Sequence, residues 1–160
     1  ERSNGNYEAA FANVHRAITL YRELDEQRYV GRALGVLAGL HHNQGNYDLA
    51  LQHLEQAIQL ADAANDQHYK SKYLGQIGGL FKAKGRLDDA IEMYEKAVAL
   101  SQQVGDNQFE AGNLGNLGNI YQLQGTHDSA IDCYRRAIRI AEPHHDLHDE
   151  KVAHEKASES

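Results

Sequence analysis

The chain has 160 residues, of which 41% are hydrophobic, and its formal net charge is −7 at pH 7. This acidic balance argues against a nucleic-acid partner, because binding to DNA or RNA depends on basic charge. With a single cysteine, Cys133, and no apolar run near the roughly 20 residues of a membrane span, we expect a cytoplasmic protein without a disulfide or membrane contact.

A repeat period organises the chain. A glycine followed five residues later by an alanine occurs at Gly5, Gly45, Gly85 and Gly125, and successive copies lie 40 residues apart. A fixed period of this kind indicates a stacked array whose core is distributed along its length. We therefore predict one array over residues 1–160, divided into a half-repeat, three full repeats and a polar cap helix or frayed tail: 1–24, 25–64, 65–104, 105–145 and 146–160.

The first helix is predicted to stand without a partner. Residues 1–4 are polar, and from 6 to about 24 the apolar residues recur every three or four positions, as on an amphipathic helix. Its apolar side chains, such as Tyr7, Phe11 and Val14, are therefore expected to be partly uncovered. Such a surface favours a homodimer or docking by an upstream repeat.

Each full repeat is predicted to contain an A helix, a short turn and a B helix. The A helices are predicted near residues 29–43, 69–84 and 109–124, and the B helices near 46–63, 86–104 and 126–142. Gly45 is predicted to end its A helix, because glycine adopts the left-handed conformation without a Cβ clash. Pro143 is predicted to end the last B helix.

Polar residues at the predicted helix starts are interpreted as caps, because their side chains can accept hydrogen bonds from the first free N–H groups. For the B helices the predicted caps are Asn6, Asn46 and Thr126. For the A helices and the cap helix they are Asp66, Asp106 and Asp146.

Small and large residues recur in a fixed order on both helices. The A helices carry Leu34/Leu37/Ala38/His41, Leu74/Ile77/Gly78/Phe81 and Leu114/Leu117/Gly118/Tyr121. The B helices carry Ala50/Leu54/Ala57, Ala90/Tyr94/Ala97 and Ala130/Tyr134/Ala137. This pattern resembles the tetratricopeptide repeat, in a 40-residue form similar to that of kinesin light chains, Pins-type polarity scaffolds and bacterial signalling regulators. The resemblance implies an all-α, right-handed α-solenoid whose A helices line a concave, peptide-binding surface.

Five glycines on the A helices need a further explanation, because each costs a helix roughly 1 kcal/mol relative to alanine. They are Gly35, Gly39, Gly75, Gly79 and Gly115. One interpretation is an open floor on which another chain lies close to the backbone. The alternative is that these glycines relieve crowding between successive A helices.

The polar residues projected onto the same face are basic or carry amides. They are Arg32, His42, Asn43, Lys72, Gln76, Lys82, Asn116, Asn119 and Gln122. No Asp or Glu falls among them, although the chain as a whole is acidic. Amides can donate to and accept from a peptide backbone, while Arg and Lys select carboxylates. We therefore predict that these residues and the five glycines bind an extended or helical peptide with acidic or C-terminal carboxylate groups.

No catalytic or metal site is predicted, and we expect no cofactor. His144, His145 and His148 could approach one another, but nothing rigid is evident to orient them. A hydrolase that uses this cluster is the least favoured alternative. Cys133 has no evident base beside it and is not predicted to act as a nucleophile.

The aromatic side chains at equivalent positions of successive repeats are interpreted as packing residues. His41 occupies the position that Phe81 and Tyr121 hold in later repeats, and it is predicted to lie in the core. Packing between repeats is also favoured over ligand stacking for the aromatic residues that start the A helices: Tyr29, Tyr69 and Phe109.

The sequence thus predicts a non-enzymatic protein-interaction module that binds a peptide segment in its groove and belongs to a larger scaffold or signalling protein. Asn116 resembles the groove asparagine that holds ligand backbone in the families named above. The alternative is a sensory or autoinhibitory domain that binds its own effector domain or a signalling peptide. A kinase, cyclase or DNA-binding segment beside the repeats would favour that alternative.

Overall fold

Seven α-helices make up residues 2–142, the part of the chain that the computed structural model describes. They are α1 (Arg2–Glu23), α2 (Gln27–Asn43), α3 (Tyr47–Ala63), α4 (Gln67–Ala83), α5 (Leu87–Val104), α6 (Asn107–Leu123) and α7 (His127–Ala141). No strand occurs within this range, so the all-α prediction is confirmed. Apart from the start of α1, the predicted helix bounds agree with the observed ones to within two residues.

The first helix begins earlier than predicted. α1 starts at Arg2 and runs through Gly5 and Asn6, so Gly5 ends no helix and Asn6 caps none. The predicted helix start at residue 6 and the predicted cap Asn6 were wrong, because both were transferred from Gly45 and Asn46, where a preceding folded helix must reverse direction. No such reversal acts on Gly5, and a single interior glycine costs a helix only about 1 kcal/mol.

The turns that close the A helices share one backbone conformation. Gly45, Gly85 and Gly125 have φ values of 78°, 75° and 76°, a region that side chains with a Cβ rarely enter. The N–H of Gly45 donates to the carbonyl oxygen of His42 at 2.9 Å. The predicted role of Gly45 is therefore confirmed.

The predicted caps hold at the A helices and fail at the B helices. Asp66 and Asp106 each accept a hydrogen bond from the backbone N–H three residues further on, at 3.3 and 3.1 Å. Neither Asn46 nor Thr126 accepts such a bond, so these two predictions were wrong. The Thr126 hydroxyl instead donates to the carbonyl oxygen of Tyr121 at 3.1 Å, at the end of the preceding helix.

The predictions for residues 143–160 lie outside the described residues. They are the helix end at Pro143, the cap Asp146, the histidines His144, His145 and His148, and the cap helix or tail. The division of the chain into repeats at the boundaries given above stays a prediction.

The helices pack as a curved stack. Each helix contacts its neighbours in sequence, and the A helices α2, α4 and α6 also contact one another in turn. The B helices α1, α3, α5 and α7 make no comparable contacts. Closer spacing on one side curves the stack, so α2, α4 and α6 line the concave surface. The predicted α-solenoid of antiparallel helix hairpins is confirmed.

Close contact between the A and B helices of a repeat depends on glycine. A Cβ added at Gly78 would lie 3.0 Å from the ring of Tyr94, and one added at Gly118 would lie 2.6 Å from the ring of Tyr134. Each tyrosine ring therefore lies flat on the backbone of the facing helix.

In the second repeat, different residues make the close contact between the A and B helices. Its equivalent positions are Ala38 and Leu54, and both are buried. A smaller B-helix side chain thus accompanies a larger A-helix residue. The alanines Ala50, Ala57, Ala90 and Ala97 are also completely buried, as close packing of helices requires.

Candidate functional site

Rings and cations alternate along the concave surface, near the starts of the three A helices. The guanidinium of Arg32 lies 4.2 Å from the ring centroid of Tyr69 and 5.0 Å from that of Tyr29. The Lys72 ammonium lies 5.5 Å from the Tyr69 centroid and 5.9 Å from that of Phe109. Each cation thus contacts rings of two successive repeats, which confirms that these rings pack between repeats. We call these five residues the cation–ring row.

The cations of this surface lack acidic partners. Within residues 2–142, no Asp or Glu oxygen lies within 4.0 Å of the side-chain nitrogens of Arg32, Lys72 or Lys82. By contrast, Lys70 on the other side of α4 pairs with Asp62 at 2.6 Å. The Nε of Arg32 is buried and has no hydrogen-bond partner. Arg32, Lys72 and Lys82 therefore form no ion pair in the described part of the chain, although Asp66 lines the same pocket as Arg32.

The side-chain amides of Gln76, Asn119 and Gln122 already form hydrogen bonds within the protein. The side-chain nitrogen of Gln76 donates to the carbonyl oxygen of Gly35 at 3.4 Å, and its Oε1 is buried without a partner. The Tyr134 hydroxyl donates to Asn119 at 2.6 Å and to Gln122 at 3.2 Å. Gln76 therefore joins α2 to α4, whereas the exposed Asn119 keeps its amide N–H groups available.

Two of the five groove glycines relieve crowding. A Cβ added at Gly35 would lie 2.8 Å from the ring of Tyr73, and one added at Gly75 would lie 2.5 Å from Oδ1 of Asn113. Tyr73 and Asn113 come from the next A helix in each case. The open-floor interpretation was wrong for Gly35 and Gly75, because neighbouring side chains fill the space beside them.

The other three glycines leave space at the surface. No atom lies within 4 Å of a Cβ added at Gly39 or Gly115. At Gly79 the nearest atoms are the Tyr94 hydroxyl at 3.5 Å and Cε1 of His42 at 3.9 Å, which are ordinary contacts. These three positions agree with the open-floor interpretation.

The remaining predicted residues lie towards the ends of the A helices. Asn43 is exposed at the end of α2, and His42 beside it packs edge-on against the ring of Tyr47, with centroids 5.6 Å apart. Lys82 is half-buried in the last turn of α4, and Asn116 is half-buried on α6. These residues border the open glycines rather than the cation–ring row.

The sequence reasoning missed two tyrosines that reach this surface from the B helices. The rings of Tyr94 and Tyr134 cross the gap left by Gly78 and Gly118 and bring their hydroxyls to the A helices. Burial raises the pKa of Tyr94, so its hydroxyl stays protonated and can donate. The signal was present in the sequence, because glycine faces tyrosine in both repeats.

A cluster of histidines lies beneath the outer surface at the first repeat boundary. The half-buried His41 ring packs 4.9 Å from that of Phe11 and 5.3 Å from that of His53, so it lies at the edge of the core rather than inside it. Both Nδ1 atoms are buried without a partner. Burial lowers the pKa of His41 and of His53. The nearby His15 lowers the pKa of His41 further, and His41 lowers that of His53 further.

Neither a metal site nor a membrane segment is found in residues 2–142. In that range no three His, Cys, Asp or Glu side chains form a group that could hold a metal ion. The helices of the same range are also too short or too polar to cross a bilayer.

The repeat pattern and the fold match one family. The model of the tetratricopeptide repeat matches residues 1–63 and 70–142. The chain belongs to the tetratricopeptide repeat family. The predicted resemblance is confirmed, and the match to this repeat indicates no catalytic family. No curated protein sequence matches the chain significantly.

Solved structures share this tetratricopeptide fold. BtubC from P. vanneervenii superposes with a TM-score of 0.75 at 22% identity, over 86% of this chain and 57% of that one. A Rap protein complexed with competence and sporulation factor gives 0.76 at 21% identity, over 86% and 39%. Aspartyl phosphate phosphatase F from Bacillus subtilis gives 0.78 at 16% identity, over 91% and 40%.

These likenesses concern the fold, since all three identities are low. The chain spans less than two thirds of the length of each of these solved proteins. What any of them binds or catalyses is therefore a property of that protein.

Proposed function

We propose that this tetratricopeptide array is a non-enzymatic interaction module that binds an acidic peptide segment of a partner protein along α2, α4 and α6. The observation that carries the proposal is the cation–ring row, in which Arg32 and Lys72 have ring contacts and no carboxylate partner within residues 2–142. Protein binding is the activity that this family of folds supports. The net charge of −7 argues against nucleic acid, and the proposed location is cytoplasmic.

The ring contacts favour binding of an anion. A cation that rests on aromatic faces has already lost part of its conformational freedom, so less entropy is lost when a carboxylate binds. Arg32 can also offer two N–H groups to one carboxylate, which a lysine cannot. The row therefore favours acidic side chains or a terminal carboxylate over neutral ligands.

The amides and open glycines would hold the rest of the segment. Asn119 retains its amide N–H groups, and Asn116 lies one turn earlier on the same helix. Gly115 beside it leaves the backbone of α6 uncovered. A peptide backbone can thus approach α6 closely while its acidic groups lie on α2 and α4.

A related protein supports binding by this kind of array. The Rap protein of similar fold was solved in complex with competence and sporulation factor. The alternative in which the occupant is an effector domain of the same polypeptide uses the same surface and differs only in the source of the segment.

Titration calorimetry tests the proposal with a twelve-residue peptide of alternating glutamate and alanine. We expect Lys72→Glu/Lys82→Glu to weaken binding by at least about tenfold, because like charges then oppose each other across the interface. The same peptide with glutamine in place of glutamate should bind the unmodified protein weakly.

The matched control is Lys84→Glu/Lys96→Glu, which changes the net charge equally at lysines outside the groove. Lys84 pairs with Asp48 and Lys96 pairs with Glu92. The change in log Kd that this control causes should be less than half of the change that the groove variant causes. Equal affinity in the groove variant and the unmodified protein would refute the proposal.

Self-association remains part of the proposal. A cleft of about 360 Å³ between α1 and α2 is lined by apolar groups of Val14, Ala17, Tyr21 and Val36. In the later repeats an A helix covers the equivalent surface. Sedimentation at several concentrations tests whether a second copy covers it here, and a strictly monomeric protein would count against the dimer.

A further inference from the structure

A second cleft lies on the outer side of the stack, between the B helices α5 and α7. Its volume is about 630 Å³, within the range typical of binding sites. Leu114, Leu117 and Tyr121 of α6 form the floor, and Val98 of α5 and Cys133 of α7 flank it. All of them except Tyr121 are buried. No residue of the cation–ring row lines this cleft.

One small, buried side chain lines the cleft. Cys133 is the equivalent of His53 and Met93 in the preceding repeats. The His53 ring stacks on His41 at 5.3 Å, and Met93 packs against the core of the first repeats. A cysteine side chain is shorter than either, so the space that those residues fill remains open between α5 and α7.

The rim of this cleft is acidic. Glu95, Asp128 and Asp132 are exposed along its edges, against one basic residue, Arg136. In the described range, none of the three carboxylates lies within 4.0 Å of a Lys, Arg or His nitrogen. The Tyr121 hydroxyl donates to Glu95 at 3.3 Å and holds this carboxylate over the floor.

We propose that the outer cleft binds a short basic segment of a partner protein that inserts one large apolar side chain. The floor accepts an aromatic or leucine side chain, because its insertion beside Tyr121 removes the apolar surface of the anchor from water. The rim attracts lysine or arginine on either side of that anchor, and the charge complementarity excludes acidic segments. The outer cleft thus selects the charge opposite to that proposed for the groove.

The size of the cleft sets the length of the probe. Along α5 the lining runs from Glu95 to Gln102, about two helical turns or roughly 10 Å. An extended chain covers this distance with about three residues. A hexapeptide with two lysines, a tryptophan, a leucine and two further lysines therefore spans the floor and both rims.

Fluorescence gives a direct readout, because the protein contains no tryptophan. The emission of the peptide tryptophan is expected to shift to shorter wavelength as the ring enters the cleft. The counterpart with glutamate in place of each lysine should bind at least about tenfold more weakly. Equal binding of the two peptides, or no shift with the basic one, would overturn the proposal.

Substitutions locate the site. Cys133→Met introduces the residue of the preceding repeat and is expected to weaken binding at least about fivefold by filling the floor. Asp128→Lys/Asp132→Lys alters two exposed rim residues. If Cys133→Met does not fold, this variant tests binding in the cleft in its place. It should weaken binding by about tenfold or more.

The groove provides the control. Asn43→Ala/Asn116→Ala should leave the affinity for the basic peptide unchanged, so failure of the groove proposal and of this one can be told apart. Unchanged affinity in both cleft variants, with loss in the groove variant, would show that the peptide binds elsewhere and would refute the assignment.

Discussion

Two glycines on α6 allow a sharp test of the helix packing. Gly118→Ala introduces a methyl group 2.6 Å from Cε1 of Tyr134 and 2.9 Å from two further ring atoms. No rotation about a single bond of alanine relieves such a contact, so the ring must move. Its hydroxyl then leaves the acceptors Asn119 and Gln122. Gly115→Ala, one turn earlier, introduces the same methyl group with no atom within 4 Å.

The magnitudes follow from opposing contributions. Replacing glycine by alanine inside a helix stabilises it by about 1 kcal/mol, and this gain is common to both variants. Overpacking costs about 1–3 kcal/mol and applies only at Gly118. We therefore expect Gly115→Ala to be more stable than the unmodified protein by about 1 kcal/mol, and Gly118→Ala to be less stable than Gly115→Ala by about 1–3 kcal/mol.

Urea denaturation followed by circular dichroism measures this difference. A combined Gly118→Ala/Tyr134→Leu variant reproduces the pair found at Ala38 and Leu54 and should recover part of the loss. If Gly118→Ala stabilises the protein as much as Gly115→Ala does, the tight contact with Tyr134 is not present and the account of glycine facing tyrosine is wrong.

Two further predictions concern the stacked histidines and the helix caps. Burial lowers the pKa of His41 and His53 below the unfolded value of about 6.5, so the unfolded state binds more protons and stability should fall as the pH drops below about 6.5. His41→Phe/His53→Met carries the residues of the next repeat. Between pH 7.5 and 5.5 its melting temperature should fall less than that of the unmodified protein. An equal fall in both proteins would contradict this. Asp66→Ala should destabilise the protein by about 1 kcal/mol through loss of its cap. Asn46→Ala, which removes no cap bond, should cost less than half as much in the same denaturation assay, and equal losses would count against the cap.

Much of the fold could be predicted because the period and the small residues report contacts within a repeat. Gly78 and Gly118 face Tyr94 and Tyr134, which lie 16 residues further along the chain in each case. Contacts of this kind recur in every repeat, so one sequence shows them several times. The helix bounds follow for the same reason, since Gly45, Gly85 and Gly125 make the same turn.

The groove was predicted less completely because it depends on contacts between repeats. The equivalents of Tyr73 include an alanine and an asparagine, Ala33 and Asn113, so no shared pattern shows that Tyr73 fills the space at Gly35. Likewise, the sequence around Gln76 does not indicate that its side chain donates to a carbonyl oxygen of the preceding A helix. Which side chains face a ligand depends on how each repeat is rotated against the next.

The start of α1 illustrates a different limit. The equivalence of Asn6 to Asn46 predicted a helix start and a cap at Asn6, but α1 runs through this position without a break. A repeat pattern therefore predicts structure only where the neighbouring unit supplies the other half of the contact.

The cation–ring row also ties the shape of the stack to its charge. Arg32 and Lys72 each lie across a boundary between two repeats, so the angle between those repeats fixes how far each cation stands from its rings. A ligand that draws a cation away from a ring weakens one of the contacts that hold this angle. The position of each cation, and with it the electrostatic potential of the inner surface, therefore depends on the angle between successive repeats.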